Sequence, residues 1–271
     1  NLSGGRGILG VGRGTVPRES ETLGTRIGSF DNPDKAVADE ANRRQFDEAM
    51  DVIQLALTEE RFAYHGEVYD LPPPGIPDRG GTVQELTLVP RPLHPFETWQ
   101  AITSPPTLEQ VPRRGWGGVF WNNHPTFTKR NWDRFAEVFE EAHGRTLEPG
   151  EKRTLVRCVC VADTREEAMA KVRPGHDEMW KFLGPYGWSK GYMGPDGKPA
   201  KAGLIPSLEE SLEQKIWIVG SADEVGEQIQ WYRDLLGVED LLLFPMMPGD
   251  SYKAGEEQVH RLAADVLPKF D

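Results

Sequence analysis

The sequence contains no run approaching 18 consecutive apolar residues, so no segment reads as a membrane-spanning helix. A basic excess is missing too: 31 Lys and Arg stand against 43 Asp and Glu, for a net charge of −12 and a pI near 5.1. Such a chain repels phosphate backbones and anionic lipid, which argues against nucleic acid and membrane partners and leaves a small-molecule substrate. Cysteine is scarce. Cys158 and Cys160 lie two apart in an apolar run, as neighbours on one strand face, and form neither a disulfide framework nor a metal set. With no basic and apolar leader pattern at its start, the chain is expected to be soluble and to reside in the reducing cytoplasm.

Metal and nucleophile signatures are absent as well. The six histidines, His65, His94, His124, His143, His176 and His260, include no pair at i, i+4 and no H-E-x-x-H, which argues against a metal site. No G-x-S-x-G is present to carry a Ser-His-Asp arrangement.

What the sequence does contain is strand-length apolar runs alternating with helical patterns, the mark of βα units and of one α/β domain over residues 1–271. Gly7 to Gly12 reads as a short buried strand ending in glycines, followed by an irregular stretch and a helix over 34–58. On that helix Phe46, Met50, Ile53 and Leu57 form an apolar face, while Arg43, Arg44, Asp47 and Glu48 face water. Residues 62–71 and 82–89 read as extended excursions around Pro72-Pro73-Pro74-Gly75. Further strands are expected near 98–102, 117–121, 156–162 and 240–244, with helices over 107–114, 127–143, 222–236 and 256–267. Asp163-Thr164 forms an N-cap pair before Arg165. Ile216 to Gly220 reads as a lead-in rather than a sixth strand. Residues Pro185–Pro206, rich in glycine, proline and aromatics, read as a mobile loop or lid.

Four groups of residues are candidates for chemistry or binding. Gly10-x-Gly12-x-Gly14 is not a dinucleotide fingerprint, because the third glycine comes one residue early and no helix follows directly. Gly12 and Gly14 either allow a tight turn or approach a ligand, and Arg13 at the end of a strand is suited to paired bonds with a phosphate, with a salt bridge to Glu19 or Glu21 as the alternative. Thr103, Ser104 and Thr107, at a strand end and a helix start, present hydroxyls and amides to an anion; their other reading is an N-cap serving only its own helix. His124, beside Asn122 and Asn123, is a candidate acid or base, or an ordinary loop histidine. Trp121, Trp180, Tyr186, Trp188 and Tyr192 either wall a substrate pocket or pack the loop down.

These segments carry a resemblance. GRGILGVGRG at 5–14, with Glu19 and Gly24, resembles the fourth-strand signature of the bacterial luciferase-like monooxygenases. WQAITSP at 99–105 resembles that family's fifth strand and phosphate turn, RRGWG at 113–117 the approach to its sixth, and VRCVCVADTREEA at 156–168 its seventh. IVGSADEV at 218–225 with LLLF at 241–244 resembles the eighth unit. The resemblance implies an incomplete (β/α)8 barrel of TIM type holding about strands four to eight, with strands one to three missing and two sheet edges left open. It also implies reduced FMN, as cofactor or co-substrate, with dioxygen and an organic substrate; a flavin reductase as partner; and association into a homo-oligomer. Relatives using a deazaflavin coenzyme, or a protein that binds flavin without turnover, are the alternatives, and Arg13 favours FMN. On this resemblance Gly12, Arg13, Gly14, Thr103, Ser104 and Thr107 are the cofactor-binding candidates.

Overall fold

The computed structural model describes residues 2–14, 16–24 and 34–270. The chain falls into two compact units, 1–97 and 98–271.

In the first unit, strand β1 (Ile8–Val11) leads to a short helix α1 (Pro17–Ser20) and the long helix α2 (Lys35–Thr58). Much of the irregular stretch expected between β1 and α2 lies outside the described residues. The strand is not the buried one that its composition suggests. Its side chains alternate between exposed and half-buried, with Ile8 63% exposed, the pattern of a strand with one face open to water. Gly14 adopts a φ of +95°, which supports the turn reading for that glycine.

On α2, Met50 is buried and Phe46 and Leu57 half-buried, as the periodicity implies, but Ile53 remains 37% exposed. The sequence reading fails at Glu48. Rather than facing water it is 9% exposed, and its carboxylate accepts the backbone N–H groups of Glu67, Val68 and Tyr69 at 3.0, 2.9 and 3.1 Å. An acidic side chain can be buried when it satisfies a turn of converging amides. Those amides hold its pKa down although burial pushes it up. The following excursion forms two small antiparallel hairpins, β2 (Tyr64–His65) with β3 (Asp70–Leu71) and β4 (Pro77–Asp78) with β5 (Gly81–Thr82).

The second unit is built from βα repeats on a curled parallel sheet, part of a barrel. Strands β6 (Glu97–Ala101), β7 (Gly117–Phe120) and β8 (Arg153–Val161) pair parallel in sequence order. Helices α3 (Pro105–Arg113) and α4 (Pro125–His143) make the crossovers, and α5 (Arg165–Leu183) follows β8. A short helix α6 (Leu208–Glu213) precedes β9 (Ile218–Gly220). Helix α7 (Ala222–Leu236) leads into β10 (Asp240–Phe244), which pairs with β8 from Asp240↔Thr154 to Phe244↔Cys158. The last helix, α8, spans Tyr252–Arg261 and continues through a π turn and a 3-10 turn to Lys269. It starts four residues before the expected Glu256 because Ser251 caps it, accepting the Ala254 N–H.

The reading of Ile216–Gly220 as a mere lead-in is corrected. Its last three residues form a strand, β9, parallel to the C-terminal end of β8 from Val159↔Ile218 to Val161↔Gly220. Three residues are too short to show a period, so only the tertiary pairing identifies them.

β8 organises the unit. All nine of its residues are buried, as expected for a parallel strand covered on both faces. Leu155, Val159 and Val161 face a core with Phe135 of α4, Ile218 of β9 and Ile229 of α7. Cys158 and Cys160 face the other, with Trp180 of α5, Leu208 of α6 and Trp217. This period-2 alternation places both cysteines on one face. Full burial of each such aliphatic side chain contributes about 1.5–3 kcal/mol.

Candidate functional site at the strand C-termini

In the first unit, Arg13 follows β1, and its guanidinium donates to Asp39 at 2.9 Å and to Asn42 at 3.1 Å. A salt bridge to a carboxylate therefore forms, but to Asp39 of α2 rather than to Glu19 or Glu21. Gly12 and Gly14 flank it, and a Cβ on Gly12 would meet nothing within 4 Å.

In the second unit, the structure gathers Thr103, Ser104 and Thr107 at the start of α3. Ser104 is the N-cap, in extended conformation, and forms a capping box with Thr107. Thr107 is 3% exposed; its Oγ1 accepts the Ser104 N–H at 3.1 Å and donates to the Ser104 carbonyl at 2.8 Å. The first two helical residues are Pro105 and Pro106, which have no N–H, and the Thr107 N–H turns to Ser104 Oγ at 3.5 Å. This helix start therefore offers no free amide in its first turn through Thr107. An anion here would meet the exposed Thr103 and half-buried Ser104 hydroxyls.

The turn after β7 carries His124, the N-cap of α4, whose Nδ1 accepts the Thr126 N–H at 3.2 Å. Burial and the positive charge of Arg157 lower its pKa. At neutral pH the ring is therefore uncharged, and with Nδ1 accepting, its proton resides on Nε2.

A cavity of about 340 Å³ opens between these two turns, at the C-terminal ends of β6 and β7. Trp121, Tyr186 and Trp188 supply its aromatic wall. Trp121 meets Trp188 edge to face at 6.3 Å and Phe244 at 5.3 Å. Thr103 and Asn123 reach it, whereas His124 stands one residue behind Asn123.

The segment 185–206 closes over this region as two 3-10 turns and a single bridge between Met193 and Pro199. It is fastened more firmly than its composition suggests. Ser189, Gly191, Tyr192 and Ala200 are buried, the Gly191 carbonyl accepts the His124 N–H at 2.7 Å, and a Cβ on Gly191 would lie 2.4 Å from Asn123 Oδ1. Tyr192 bonds Ser211 at 2.7 Å, and Ser211 bonds His176 Nε2 at 2.8 Å, with Asp177 on Nδ1 at 3.0 Å. Although these residue types are those of a hydrolase triad, Ser211 and His176 are fully buried, so the network acts as a clasp. Trp180 and Tyr192 meet edge to face at 5.1 Å within the core and do not line the cavity.

Sequence reasoning missed Arg157. It is fully buried in β8 and donates to Tyr232 Oη at 3.0 Å, the Val156 carbonyl at 2.8 Å and the Asn123 carbonyl at 3.0 Å, with its guanidinium 4.6 Å from the Tyr232 ring. The one available signal was an arginine in the middle of an apolar strand. Among the described residues no helix is long and apolar enough to cross a membrane, and no cluster of three or more metal-binding side chains forms.

Comparison with known proteins follows the same lines. A family model described as luciferase-like monooxygenase matches residues 1–239. The 4-hydroxyprotoasukamycin monooxygenase of Streptomyces nodosus subsp. asukaensis is 26% identical over 280 aligned positions, covering 100% of this chain and 67% of that protein. The monooxygenase RslO1 from Streptomyces bottropensis superposes with a TM-score of 0.69 at 17% identity, over 98% of this chain and 69% of its own. The oxygenating constituent of 3,6-diketocamphane monooxygenase of Pseudomonas putida, solved with FMN, gives 0.68 at 21% identity, over 97% and 70%. A coenzyme F420-dependent tetrahydromethanopterin reductase from Methanopyrus kandleri gives 0.57 at 16% identity, over 100% and 76%. At such identities the solved structures speak for the fold, which is the luciferase-like barrel type.

Proposed function

Because the chain belongs to the luciferase-like monooxygenase family, we propose that it works as an FMN-dependent monooxygenase on a small organic substrate. The observation that carries this reading is the aromatic cavity at the C-terminal ends of β6 and β7, the end of this fold where active sites lie. Its residues suit a flavin in part. Trp121, Tyr186 and Trp188 offer flat apolar surface for a ring system, and the Thr103 and Ser104 hydroxyls offer donors to a phosphate. The double proline at 105–106 removes helix amides from that role.

Reduced flavin, when bound, supplies the electrons with which one atom of dioxygen enters the substrate and the other leaves as water. The chain's own residues bind and enclose. The aromatic wall and the segment clasped by Tyr192 exclude water, and Arg157 holds the Asn123–His124 turn in place. Reduced FMN would be supplied by a separate flavin reductase.

The test is a titration with FMN and with riboflavin, which lacks the phosphate. Ser104→Ala is expected to weaken FMN about tenfold or more, the value of one charge-assisted hydrogen bond, and riboflavin less than twofold. Loss of the cap acts on both ligands alike, so equal weakening contradicts the phosphate assignment. The fold shared with the deazaflavin-dependent reductase supports a second reading, hydride transfer without oxygen. That reading requires turnover under argon, whereas the monooxygenase reading requires air.

A further inference from the structure

Trp188 links the cavity to the core behind it. On one side it meets Trp121 edge to face at 6.3 Å on the cavity wall. On the other it packs against the core cluster that holds Trp180 and Tyr192, whose rings meet at 5.1 Å. A run of aromatic side chains thus leads from the cavity to a phenol that is 1% exposed. Indoles and phenols are among the side chains that most readily lose a single electron. A buried phenol can do so only if its proton has somewhere to go, because a phenol radical cation is a strong acid.

Tyr192 has such an acceptor. The Asp177 carboxylate accepts from His176 Nδ1 at 3.0 Å, which places the proton of the neutral ring on that nitrogen. Nε2 then turns a lone pair to Ser211 Oγ, 2.8 Å away, so the Ser211 hydroxyl donates to it and accepts from Tyr192 at 2.7 Å. These distances lie within reach of direct proton transfer. Burial keeps His176 uncharged and the Tyr192 phenol protonated, so the base is free and the acid is loaded.

We propose that Tyr192 is redox-active: it gives one electron through Trp180 and Trp188 to a one-electron oxidant in the cavity, such as a photoexcited flavin, while its proton passes through Ser211 to His176. The O–H bond of Tyr192 breaks, the Ser211 proton joins His176 Nε2, and the Tyr192 proton replaces it on Ser211. The products are a neutral tyrosyl radical, an imidazolium beside Asp177 and an oxidant reduced by one electron. The Ser207 carbonyl, 3.0 Å from Ser211 Oγ, accepts the new hydroxyl proton. Oxidising equivalents that miss the substrate leave the cavity wall by this route, which spares Trp121 and Trp188. Only the supply of the oxidant by flavin chemistry rests on the flavin reading; the radical site does not.

Laser flash photolysis of the intact chain tests this with FMN under argon and with a ruthenium tris-bipyridine complex plus a sacrificial acceptor, which needs no cavity binding. With the ruthenium oxidant, electron paramagnetic resonance of wild type is expected to show a tyrosyl radical that outlives those of exposed tyrosines such as Tyr252, since a buried radical cannot couple with another chain. Tyr192→Phe should lose this long-lived signal. His176→Gln and Ser211→Ala should slow its formation about a hundredfold, the contribution of a positioned base, and leave oxidised tryptophan in its place. Formation in wild type should also slow in D2O, a readout that needs no variant to fold. Absence of the long-lived signal in wild type, the same signal in Tyr192→Phe, or a formation rate unchanged in D2O or in both relay variants overturns the proposal. A long-lived signal from the ruthenium oxidant without saturable FMN binding leaves the radical site standing and counts against the flavin reading alone.

Discussion

The Arg157 guanidinium donates to the backbone carbonyl of Asn123 at 3.0 Å from inside a strand with no exposed residue. A buried cation without a carboxylate is expensive unless its donors are satisfied, and here they are satisfied by Tyr232 Oη, the Val156 carbonyl and the turn that borders the cavity. Three bonds to a charged donor, each contributing about 1.5–3 kcal/mol, exceed the relief of removing the charge. Arg157→Met is therefore expected to lower unfolding stability by about 2–4 kcal/mol in urea. It should also raise the pKa of His124, since burial and then Arg157 depress it. An NMR titration in which the His124 ring signals titrate identically in the variant would contradict that coupling.

The clasp at His176 makes stability depend on pH. Burial lowers the His176 pKa, partly offset by Asp177, so the folded state resists a proton that the unfolded state accepts near 6.5. Stability is full above that value and declines as pH falls from it toward the lowered folded pKa. Urea midpoints at pH 7.5 and 5.5 should show this decline in wild type and less of it in His176→Gln. A midpoint equal at both pH values contradicts the assignment.

Glu48 governs the turn at 67–69. Its depressed pKa means the turn is held above the usual carboxylate range and released as pH falls through the folded value. Glu48→Gln should speed amide exchange at Glu67, Val68 and Tyr69. Gly66→Ala should do the same, because its Cβ would lie 2.2 Å from Glu48 Oε2 and displace the carboxylate. Protection factors unchanged in both variants would refute the role.

Burial pushes the Cys158 thiol up to about 12 and the Cys160 thiol up to about 11. Thiolate is the reactive form, so neither should react with iodoacetamide at pH 8 in the folded protein, and both should react in urea. Labelling of the native chain within minutes would contradict the packing.

Much of the second unit was legible because its signals are local. The run at 240–244 matches β10, and β7 and β8 lie within three residues of their expected ends, bounded by glycines or by the Thr164 cap. What depends on distant partners was not legible. β9 exists through pairing with β8, Glu48 is buried by a turn about 20 residues away, and His176, Ser211 and Tyr192 meet across 19 and 35 residues. The cavity followed the same rule. Thr103 and the aromatics Trp121, Tyr186 and Trp188 were visible as candidates, whereas Arg130 and Lys190 carry no local signal that would place them at the same cavity.

A flavin bound in the aromatic cavity would lie against Trp121 and Trp188. Trp121 and Trp188 are built-in reporters, so tryptophan fluorescence during titration with dithionite-reduced FMN under argon tests it most directly. The account predicts saturable quenching that falls by half or more in the Trp121→Phe, Trp188→Phe double variant while FMN affinity by calorimetry stays within about tenfold. Absence of saturable quenching in the wild-type chain, or quenching of the same amplitude in the double variant, would contradict it.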